Sequence, residues 1–480
     1  MKASTYIYIF LFSLSLNSYA TQLGNGIKIG EVTKDSAILW TRVTENADMN
    51  TKGDPFIKIN HKDSHKPNQQ QIPEGKALKE MIHSLTGTPG EVRFAYWPKG
   101  KEGKEKQESI KMTQWYTVDV DKDFTFQTKV TDLSPGTHYK VRCEARAGDS
   151  NNIETALNGG FRTAPDEKST KPISFTVVTG QEFSRRDDKN NGHTIYKTML
   201  SLNPNFFIHT GDIVYYDYQK FIPFANTQQL ARYKWNRIFS LPFSRNFHNQ
   251  IASYFIKDDH DTLKNDSWSG QTYGDLTWNQ GLGIFREQVP MGEKTYRTIR
   301  WGKDLQIWLV EGRDFGSNNN SPDGPEKTIL GQEQKQWLFE TMKASDATFR
   351  VLVSATPVVG PDRGKKNDNH ANAGFTHEGN KLREFIGSLK NAFIVCGDRH
   401  WQYNSKDPKT GVLEFCSGPT SDKHAGGFSE KSLTPMHSYL KIKGGFLNVT
   451  IERKNDIPQA SLRHYSVKGE IYNKKTLIAK

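Results

Sequence analysis

The strongest indication of the fold is the stretch Phe206–Asp217, FFIHTGDIVYYD, in which an apolar run leads directly into a Gly-Asp pair. Two other segments are built in the same way: Tyr254–Asp261, YFIKDDHD, and Ala392–Trp401, AFIVCGDRHW. In each, acidic residues follow an apolar run that is typical of a buried strand. Because α/β sheets hold ligand sites in loops beyond the carboxyl ends of their strands, these segments predict an α/β domain with one shared site.

The sequence around these three segments continues the alternation of strands and helices. The apolar spacing predicts a helix near residues 194–202, and further helices near residues 334–343 and 381–389. Alternating segments near the end of the chain predict closing strands. We therefore expect residues 166–480 to form a layered α/β domain, with a β-sandwich core flanked by helices.

The sequence before residue 165 has a different pattern. Short β-like runs between residues 24 and 165 are separated by turn residues, with hardly a helical period, which predicts an all-β sandwich. The segment LSPGTHYKVRCEA, residues 133–145, is similar to the corner of fibronectin type III and immunoglobulin-like domains. We expect an N-terminal domain of this kind over residues 21–165, with a polar insertion or loop near residues 44–90.

Residues 1–20, MKASTYIYIFLFSLSLNSYA, resemble a secretory signal. They combine a single cation, Lys2, with an apolar run and small residues at Ser18 and Ala20. We therefore expect export to the periplasm or the extracellular space. No later segment is apolar for long enough to cross a bilayer, so no transmembrane anchor is expected.

The charge of the chain favours anionic partners. It has 480 residues and a net charge of +12, with 65 basic and 53 acidic side chains. Phosphate or sulfate esters and acidic polymers fit this charge, whereas no interleaving of aromatic and basic residues indicates a dedicated nucleic-acid groove. The three cysteines form no zinc motif, and the sequence leaves open whether Cys396 and Cys416 pair. The oligomeric state is open as well.

The three acidic strand ends make chemical sense as a metal site. Several carboxylates brought together repel one another unless a cation is bound. Asp398 and His400 are two residues apart, so in an extended segment both point to the same side. Tyr215 is either a phenolate ligand for a hard ion such as Fe³⁺ or an ordinary packing aromatic. Gly211 and Gly397, which precede aspartates, allow close approach of the backbone.

Taken together, these segments resemble the PhoD-like alkaline phosphatases of the calcineurin-like metallophosphoesterase superfamily. The segments that match the family pattern, in the same order, are HTGDIVYYD, DDHDTLKND, LGQEQKQWL and GDRHW. VEGRDF resembles the family segment that carries an arginine before the LG-x-x-Q helix. The resemblance covers roughly residues 24 to 450 and implies a metallophosphatase domain for the second half of the chain.

The resemblance implies roles for individual residues. The implied metal ligands are Asp212, Tyr215, Asp259, Asp398 and His400.

Four further residues are candidates for catalysis or substrate binding. His260 would contact the phosphate or protonate the leaving group, and Asn265 lies close to it in the sequence. Arg313 would face phosphate oxygens, or would simply pair with a carboxylate. Gln181 is a candidate for substrate binding.

The chain departs from the family at the first motif. Where the family has a Ser-Cys-Gln signature, this sequence has VVTGQEF, with Gly180 at the place of the cysteine. Gln181 and Glu182 offer oxygen atoms instead. The resemblance implies two or more metal ions, Fe³⁺ and Ca²⁺, but the missing thiolate leaves their identity open. The polar run at residues 360–375 is either a surface loop or a lid over the site.

We therefore expect a secreted metal-dependent phosphoesterase that hydrolyses phosphate mono- or diesters by metal-activated hydroxide. The substrate is a small or polymeric phosphate ester. The competing interpretation is a secreted binding or adhesion protein whose phosphatase-like domain is degenerate and does not turn over substrate.

Overall fold

The computed structural model describes residues 21–100, 110–148, 150–218 and 223–480. The expected export signal, residues 1–20, lies outside the described residues.

The described residues form strands and helices in the following order. The strands of the first part are β1 (Ile27–Gly30), β2 (Ala37–Arg42), β3 (Glu91–Pro98), β4 (Lys111–Met112), β5 (Tyr116–Thr117), β6 (Thr125–Val130), β7 (His138–Arg146) and β8 (Thr155–Arg162). The next are β9 (Ile173–Val178), β10 (Phe206–His209), β11 (Ala252–Phe255), β12 (Thr272–Tyr273), β13 (Leu276–Thr277), β14 (Arg297–Trp301), β15 (Leu305–Leu309) and β16 (Phe349–Ser354). The last are β17 (Ala392–Cys396), β18 (Gln402–Lys406), β19 (Leu413–Ser417), β20 (His437–Lys441), β21 (Phe446–Lys454), β22 (Ile457–Tyr465) and β23 (Ile471–Ile478). The helices are α1 (His61–Ser64), α2 (Thr194–Ser201), α3 (Gln228–Phe239), α4 (Pro242–His248), α5 (Asp259–Thr262), α6 (Trp278–Gln288), α7 (Gln332–Ala344) and α8 (Thr376–Ser388).

Two large sheets form the centre of the molecule. One has nine strands in the order β23-β22-β21-β9-β10-β11-β1-β2-β6, and the other has seven in the order β14-β15-β16-β17-β19-β18-β20. Strands β9, β10 and β11 run parallel, and so do β15, β16 and β17. The carboxyl ends of each parallel set therefore lie at one edge of its sheet.

The two sheets pack face to face. Phe206 of the nine-stranded sheet lies with its ring centroid 4.6 Å from that of Trp301 of the seven-stranded sheet. Both side chains are completely buried, within one hydrophobic cluster that takes residues from both sheets. The predicted sandwich core is confirmed, because alternate side chains of each strand point into this shared layer.

Helices cover the outer faces of the sandwich. The predicted helix near residues 194–202 is α2, and those near 334–343 and 381–389 are α7 and α8. Apolar residues of α7 and α8 pack on the seven-stranded sheet, whereas α2 and α4 pack on the nine-stranded one. The sequence reasoning missed α1, α3, α4, α5 and α6.

The N-terminal region shares a sheet with the rest of the protein. Strands β1, β2 and β6 extend the nine-stranded sheet, because β1 pairs in parallel with β11. The other strands, β3, β4, β5, β7 and β8, form a separate five-stranded sheet. Both sheets contribute to one continuous core. An immunoglobulin- or fibronectin-like domain over residues 21–165 remains a prediction.

The polar segment at residues 44–90 packs against helix α3. The ring centroids of Phe56 and Tyr233 lie 5.2 Å apart, and the Tyr233 hydroxyl donates to the Ile82 carbonyl over 2.9 Å. Phe56 and Met81 are buried in the cluster that contains α3. A few apolar residues spaced along a polar segment therefore anchor it on the surface of the helix.

Two negative findings concern the residues that the structure describes. No helix among them is both long and apolar enough to cross a membrane. Cys143, Cys396 and Cys416 are all buried free thiols. Cys396 and Cys416 lie opposite each other on neighbouring strands, and the Cys396 thiol contacts the Tyr403 hydroxyl at 3.3 Å.

Replacing the ring at the centre of the sandwich tests its importance. We expect Phe206→Ala to lower the free energy of unfolding by about 3–5 kcal/mol, the usual cost of removing a buried aromatic ring. The control Leu433→Ala, at a residue that is 60% exposed, should change it by less than about 0.5 kcal/mol. Urea unfolding followed by tryptophan fluorescence measures both. Equal losses in the two variants would contradict this packing.

Candidate metal centre and active site

The three acidic segments meet at the edge where the parallel strands end. Gly211 and Gly397 both lie where only hydrogen fits. A Cβ atom on Gly211 would lie 2.6 Å from the Cβ of Asp258, and one on Gly397 would lie 2.5 Å from the Thr210 hydroxyl. The prediction that these glycines allow close approach is confirmed, and the contacts draw the loops after β10, β11 and β17 together.

The aspartates that follow these glycines have a strained backbone. Asp212 has a φ of 56° and Asp398 a φ of 61°. Side-chain-bearing residues seldom occupy this left-handed region, and such strain is concentrated at functional sites. The conformation turns both carboxylates away from their strands and toward the common edge.

Three of the predicted ligands make direct contact with one another. The Tyr215 hydroxyl donates to Asp212 Oδ2 over 2.8 Å and lies 3.0 Å from His400 Nε2. His400 Nε2 is 3.4 Å from the same Asp212 oxygen. Phenol, carboxylate and imidazole therefore converge on one point, although they come from positions up to 188 residues apart.

The remaining predicted ligands complete two groups around Asp212. The first group contains Asp212, Asp259 and His260, and the second contains Asp212, Asp258 and Asp398; within each, the ligand atoms lie within 4.8 Å of one another. Asp258, which the sequence reasoning did not choose as a ligand, belongs to the second group. Asp212 is common to both groups, the position that a bridging ligand would take.

The donor set fits hard metal ions. Asp212 Oδ1 and Asp258 Oδ2 are buried without a hydrogen-bond partner. An unpaired buried carboxylate oxygen is costly, and a cation would remove that cost. Oxygen donors with one or two imidazoles suit Mn, Fe or Ca better than a thiolate-preferring metal. The residues present therefore fit the expected metal ions.

The electrostatics of the second group support the same interpretation. Burial raises the pKa of Asp212 and Asp258 well above the ordinary value, and the charges of neighbouring carboxylates add to the shift. Burial likewise raises the pKa of Asp398 to about 7. A carboxylate in this position holds its proton unless positive charge replaces it. A bound cation would supply that charge.

Backbone hydrogen bonds fix the acidic turn at α5. Asp261 accepts hydrogen bonds from the amides of Ile213 and Val214 at 2.6 and 2.9 Å and from the amide of Asp258 at 3.0 Å. Its carboxylate therefore holds the loop after β10 against the turn after β11. The role of Asp261 is to position Asp212 and Asp258 relative to each other.

His260 is held by a carboxylate that the sequence reasoning did not single out. Its Nδ1 lies 2.6 Å from Asp217 Oδ1, and the amide of Asn265 donates to Asp217 Oδ2 over 2.9 Å. Although burial favours the neutral ring, the charges of Asp217, Asp259 and Asp212 raise the pKa of His260 well above its ordinary value. These carboxylates therefore favour the protonated ring.

Arg313 and Gln181, which were also candidates for substrate contact, do not line the cavity described below. The Arg313 guanidinium pairs with Asp258, with Nε 2.8 Å from Oδ1, and this arginine is not among the residues that line the cavity described next. This matches the alternative interpretation of Arg313, pairing with a carboxylate. Gln181 is completely buried and accepts a hydrogen bond from the Tyr196 hydroxyl over 2.7 Å. The structure does not bring Gln181 to the cavity.

The motif LGQEQ has a structural explanation. Gln334 accepts a hydrogen bond from the Glu311 amide over 2.8 Å and donates to the Glu311 carbonyl over 2.8 Å. It therefore ties the start of α7 to the end of β15. The Glu311 carboxylate lies 3.0 Å from the Lys257 ammonium, a pair that fixes the segment before Asp258.

A cavity of about 370 Å³ opens over the acidic groups. Asp212, Asp259, His260, Asp398 and His400 line it on one side.

Four cationic side chains also line this cavity. They are Arg185, Arg363, Lys366 and Lys423. Arg363 and Lys366 come from the polar run at residues 360–375. Of the two alternatives for this run, a surface loop or a segment over the site, the second agrees with its contribution to the cavity. An acidic floor with a basic rim can hold metal ions below and an anionic substrate above.

Several residues of this site were missed by the sequence reasoning. Lys366 and Arg363 lie in a run that was singled out for its acidic residues, and His424 follows no strand-end pattern. His424 donates from Nδ1 to the Gly180 carbonyl over 3.1 Å, and its ring lies 4.1 Å from that of His400. Glu182, in contrast, caps a turn by accepting from the Ser184 and Arg185 amides.

Gly180 lies directly beside a predicted ligand. It has a φ of 59°, and a Cβ atom at this position would lie 3.2 Å from His400 Nε2. A side chain at residue 180 would therefore point at the metal-binding edge. With no side chain there, the polar groups beside the His400 ring are those of Tyr215, Asp212 and His424.

The fold and this site together define a metallophosphatase-like protein. The structural match to PhoD covers 96% of this chain and 90% of the PhoD chain, with a TM-score of 0.71 at 16% identity. The match to a purple acid phosphatase from yellow lupin (Lupinus luteus) seeds covers 94% of this chain and 74% of the phosphatase chain, with a TM-score of 0.60 at 10% identity. Both similarities concern the fold.

The family follows from the sequence. The family model of the PhoD-like phosphatases matches residues 175–450, and that of their N-terminal domain matches residues 13–165. This chain belongs to the PhoD-like phosphatase family. Alkaline phosphatase D of Bacillus subtilis (strain 168) is 20% identical over 445 residues, which cover 82% of this chain and 66% of the relative. The chain thus spans slightly less than two thirds of the length of that relative.

Adding a methyl group at Gly180 tests the contact with His400. We expect Gly180→Ala to weaken metal binding roughly tenfold, because changes next to a ligand typically cost 10- to 100-fold in affinity. Isothermal titration of the metal-free protein with Mn²⁺ measures the effect. The control is Gly283→Ala, at an exposed position of α6 where nothing lies within 4 Å of an added Cβ. Unchanged affinity in both variants would contradict this placement of His400.

Proposed function

We propose that the protein is a metal-dependent phosphoesterase that hydrolyses phosphate mono- or diesters. One observation carries the proposal: Asp212 belongs to two ligand groups, each with its atoms within 4.8 Å of one another, and it lines a cavity that cationic side chains also line. Two adjacent cation sites in a cavity that attracts anions suit the hydrolysis of a phosphate ester. Membership of the PhoD-like phosphatase family supports the same activity.

The proposed ligands are Asp212, Tyr215, Asp259, Asp398 and His400, with Asp258 as an additional candidate. When bound, the metal ions activate water for attack on phosphorus and neutralise the charge of the phosphoryl oxygens. The protein orients this chemistry through Asp261 and Tyr215, which hold Asp212 by hydrogen bonds to its loop and its carboxylate.

His260 is the proposed acid. Asp217 holds its Nδ1 at 2.6 Å and favours the protonated ring, so His260 can give a proton to the oxygen of the leaving group. Although burial favours the neutral ring, the charge of Asp217 raises the pKa of His260. No protein nucleophile is needed, because water supplies the attacking oxygen.

The rim of the cavity would attract and orient the substrate. The Arg185 guanidinium stacks over the Tyr218 ring at 4.6 Å, and Arg185 lines the cavity. Arg363 lines the same cavity and also a second cleft, which it shares with Phe428. Guanidinium groups bind phosphate oxygens in pairs of hydrogen bonds, so these two arginines take the role that the sequence suggested for Arg313.

We also propose export and cleavage after Ala20. Thr21 is completely buried, and its amide nitrogen lies 2.5 Å from Glu154 Oε2. The Thr21 hydroxyl donates to the same oxygen over 2.9 Å. A chain that begins at Thr21 would carry its α-ammonium beside this carboxylate, so cleavage would replace an amide hydrogen bond by an ion pair.

Removing the shared carboxylate tests the metal-dependent activity. We expect Asp212→Asn to lose at least one bound metal ion and to lower the hydrolysis of an aryl phosphate. Loss of a residue that only contacts a metal ligand costs roughly 10- to 100-fold, so loss of the ligand itself should cost more. Elemental analysis and an aryl phosphate assay measure both. Asp48→Asn, at a side chain that is 75% exposed, is the matched control. Wild-type protein that binds metal but hydrolyses neither mono- nor diesters would instead favour the non-catalytic binding protein.

The cleavage proposal has its own test. Mass spectrometry of the protein recovered from the periplasm or the medium should give an N-terminus at Thr21. We expect Glu154→Gln to lower the thermal stability of the cleaved protein, while the same change in uncleaved protein has a smaller effect because no ammonium is present. Recovery of the whole chain in the cytoplasm, with Met1 or Lys2 at its start, would contradict export.

A further inference from the structure

A third group of carboxylates lies beside the two that share Asp212. It contains Asp259, Asp266 and Asp368, with ligand oxygens that lie within 4.8 Å of one another. Asp259 and Asp368 are buried, and Asp368 Oδ2 has no hydrogen-bond partner. We call these residues the third carboxylate group. By its donor atoms alone, it would accept a metal ion as readily as the other two groups.

The third carboxylate group differs from the others because a lysine already lies within it. The Lys366 ammonium forms an ion pair with Asp266 and lies 3.7 Å from Asp368 Oδ2. The Arg313 guanidinium, which pairs with Asp258 of the second group, also lies near, with Nη2 3.8 Å from both Asp259 Oδ2 and Asp368 Oδ2. Two cations therefore face three carboxylates.

The ion pairs of the described residues differ in the same way. Asp266 and Asp368 face the Lys366 ammonium, whereas the Asp212 carboxylate contacts the Tyr215 phenol and the His400 imidazole.

Hydrogen bonds between three loops hold the lysine in this position. Asn319 donates from its side chain to the Asp266 carbonyl over 2.8 Å, and the Asn367 side chain donates to the Asn319 carbonyl over 3.3 Å. The segment after Lys366 is tightly packed, because a Cβ atom on Gly374 would lie 2.4 Å from the Asn367 carbonyl oxygen. The Lys366 side chain is only 15% exposed, whereas its neighbour Lys365 is exposed.

We propose that the Lys366 ammonium is the resident cation of the third carboxylate group and takes the place of a metal ion there. A divalent ion among the same oxygens would lie within a few ångströms of the ammonium. Repulsion between such charges is strong where water is largely excluded. We expect metal ions at the groups that share Asp212, because among the described residues no lysine or arginine forms an ion pair with the Asp212 carboxylate.

The arrangement has a consequence for the cavity. Lys366 lines it together with Asp259, His260 and Asp398, so one cation of the site is supplied by the chain itself. Its charge does not depend on the supply of metal. The proposal rests on the proposed function only in expecting metal at Asp212, and metal counting tests it without an activity assay.

The experiment counts bound ions in wild type, Lys366→Met and Lys365→Met. Each purified full-length protein is stripped of metal, dialysed against excess Mn²⁺ and analysed for manganese per chain. Mn²⁺ is suitable because it prefers oxygen ligands. We expect Lys366→Met to bind one more ion per chain than wild type, and Lys365→Met to bind the same number as wild type. The charge-conserving variant Lys366→Arg should also bind the same number.

Two further variants keep the proposal testable even if Lys366→Met does not fold. The double variant Lys366→Met/Asp266→Asn should lose the additional ion, because the third carboxylate group then lacks a ligand. Asp266→Asn alone should leave the number of ions in the wild-type background unchanged.

Equal counts in wild type and folded Lys366→Met would overturn the proposal, and so would a lower count in Asp266→Asn. A wild type that binds no Mn²⁺ at all would contradict the proposed function instead.

Discussion

The structure depends on a concentration of buried negative charge at one edge of a β-sandwich. Asp212, Asp258 and Asp398 have carboxylate oxygens within 4.8 Å of one another, and burial raises the pKa of each. Such a group is stable as carboxylates only with compensating positive charge. The surrounding loops bring these carboxylates together, hold them in place and supply cationic side chains.

The sandwich makes this concentration possible because its strands are rigid and end together. Parallel strands in both sheets deliver their loops to the same edge, and Gly211 and Gly397 let those loops approach closely. Asp261 and Gln334 then fix the loops through backbone hydrogen bonds rather than through contact with the cavity. The left-handed backbone at Asp212 and Asp398 adds strain that this surrounding structure must hold.

The chain also distributes positive charge unevenly. Arg313 pairs with Asp258 and Lys366 pairs with Asp266, whereas the partners of the Asp212 carboxylate among the described residues are a phenol and an imidazole. Because Gly180 has no side chain, the His400 ring lies beside His424. The three ligand groups found among the described residues contain oxygen and nitrogen donors and no thiol.

The sequence alone determined the sheet, its functional edge and the acidic residues at that edge. Apolar alternation and the residues that follow it act locally along a strand, so Asp212, Asp259 and Asp398 could be selected as neighbours before the structure was known. Only the tertiary structure decided which cation lies beside which carboxylate. Lys366 and Asp266 are 100 residues apart in the chain, and the Coulomb interaction between them depends on their distance in space. For the same reason, the partner of Arg313 and the position of His424 required the folded protein.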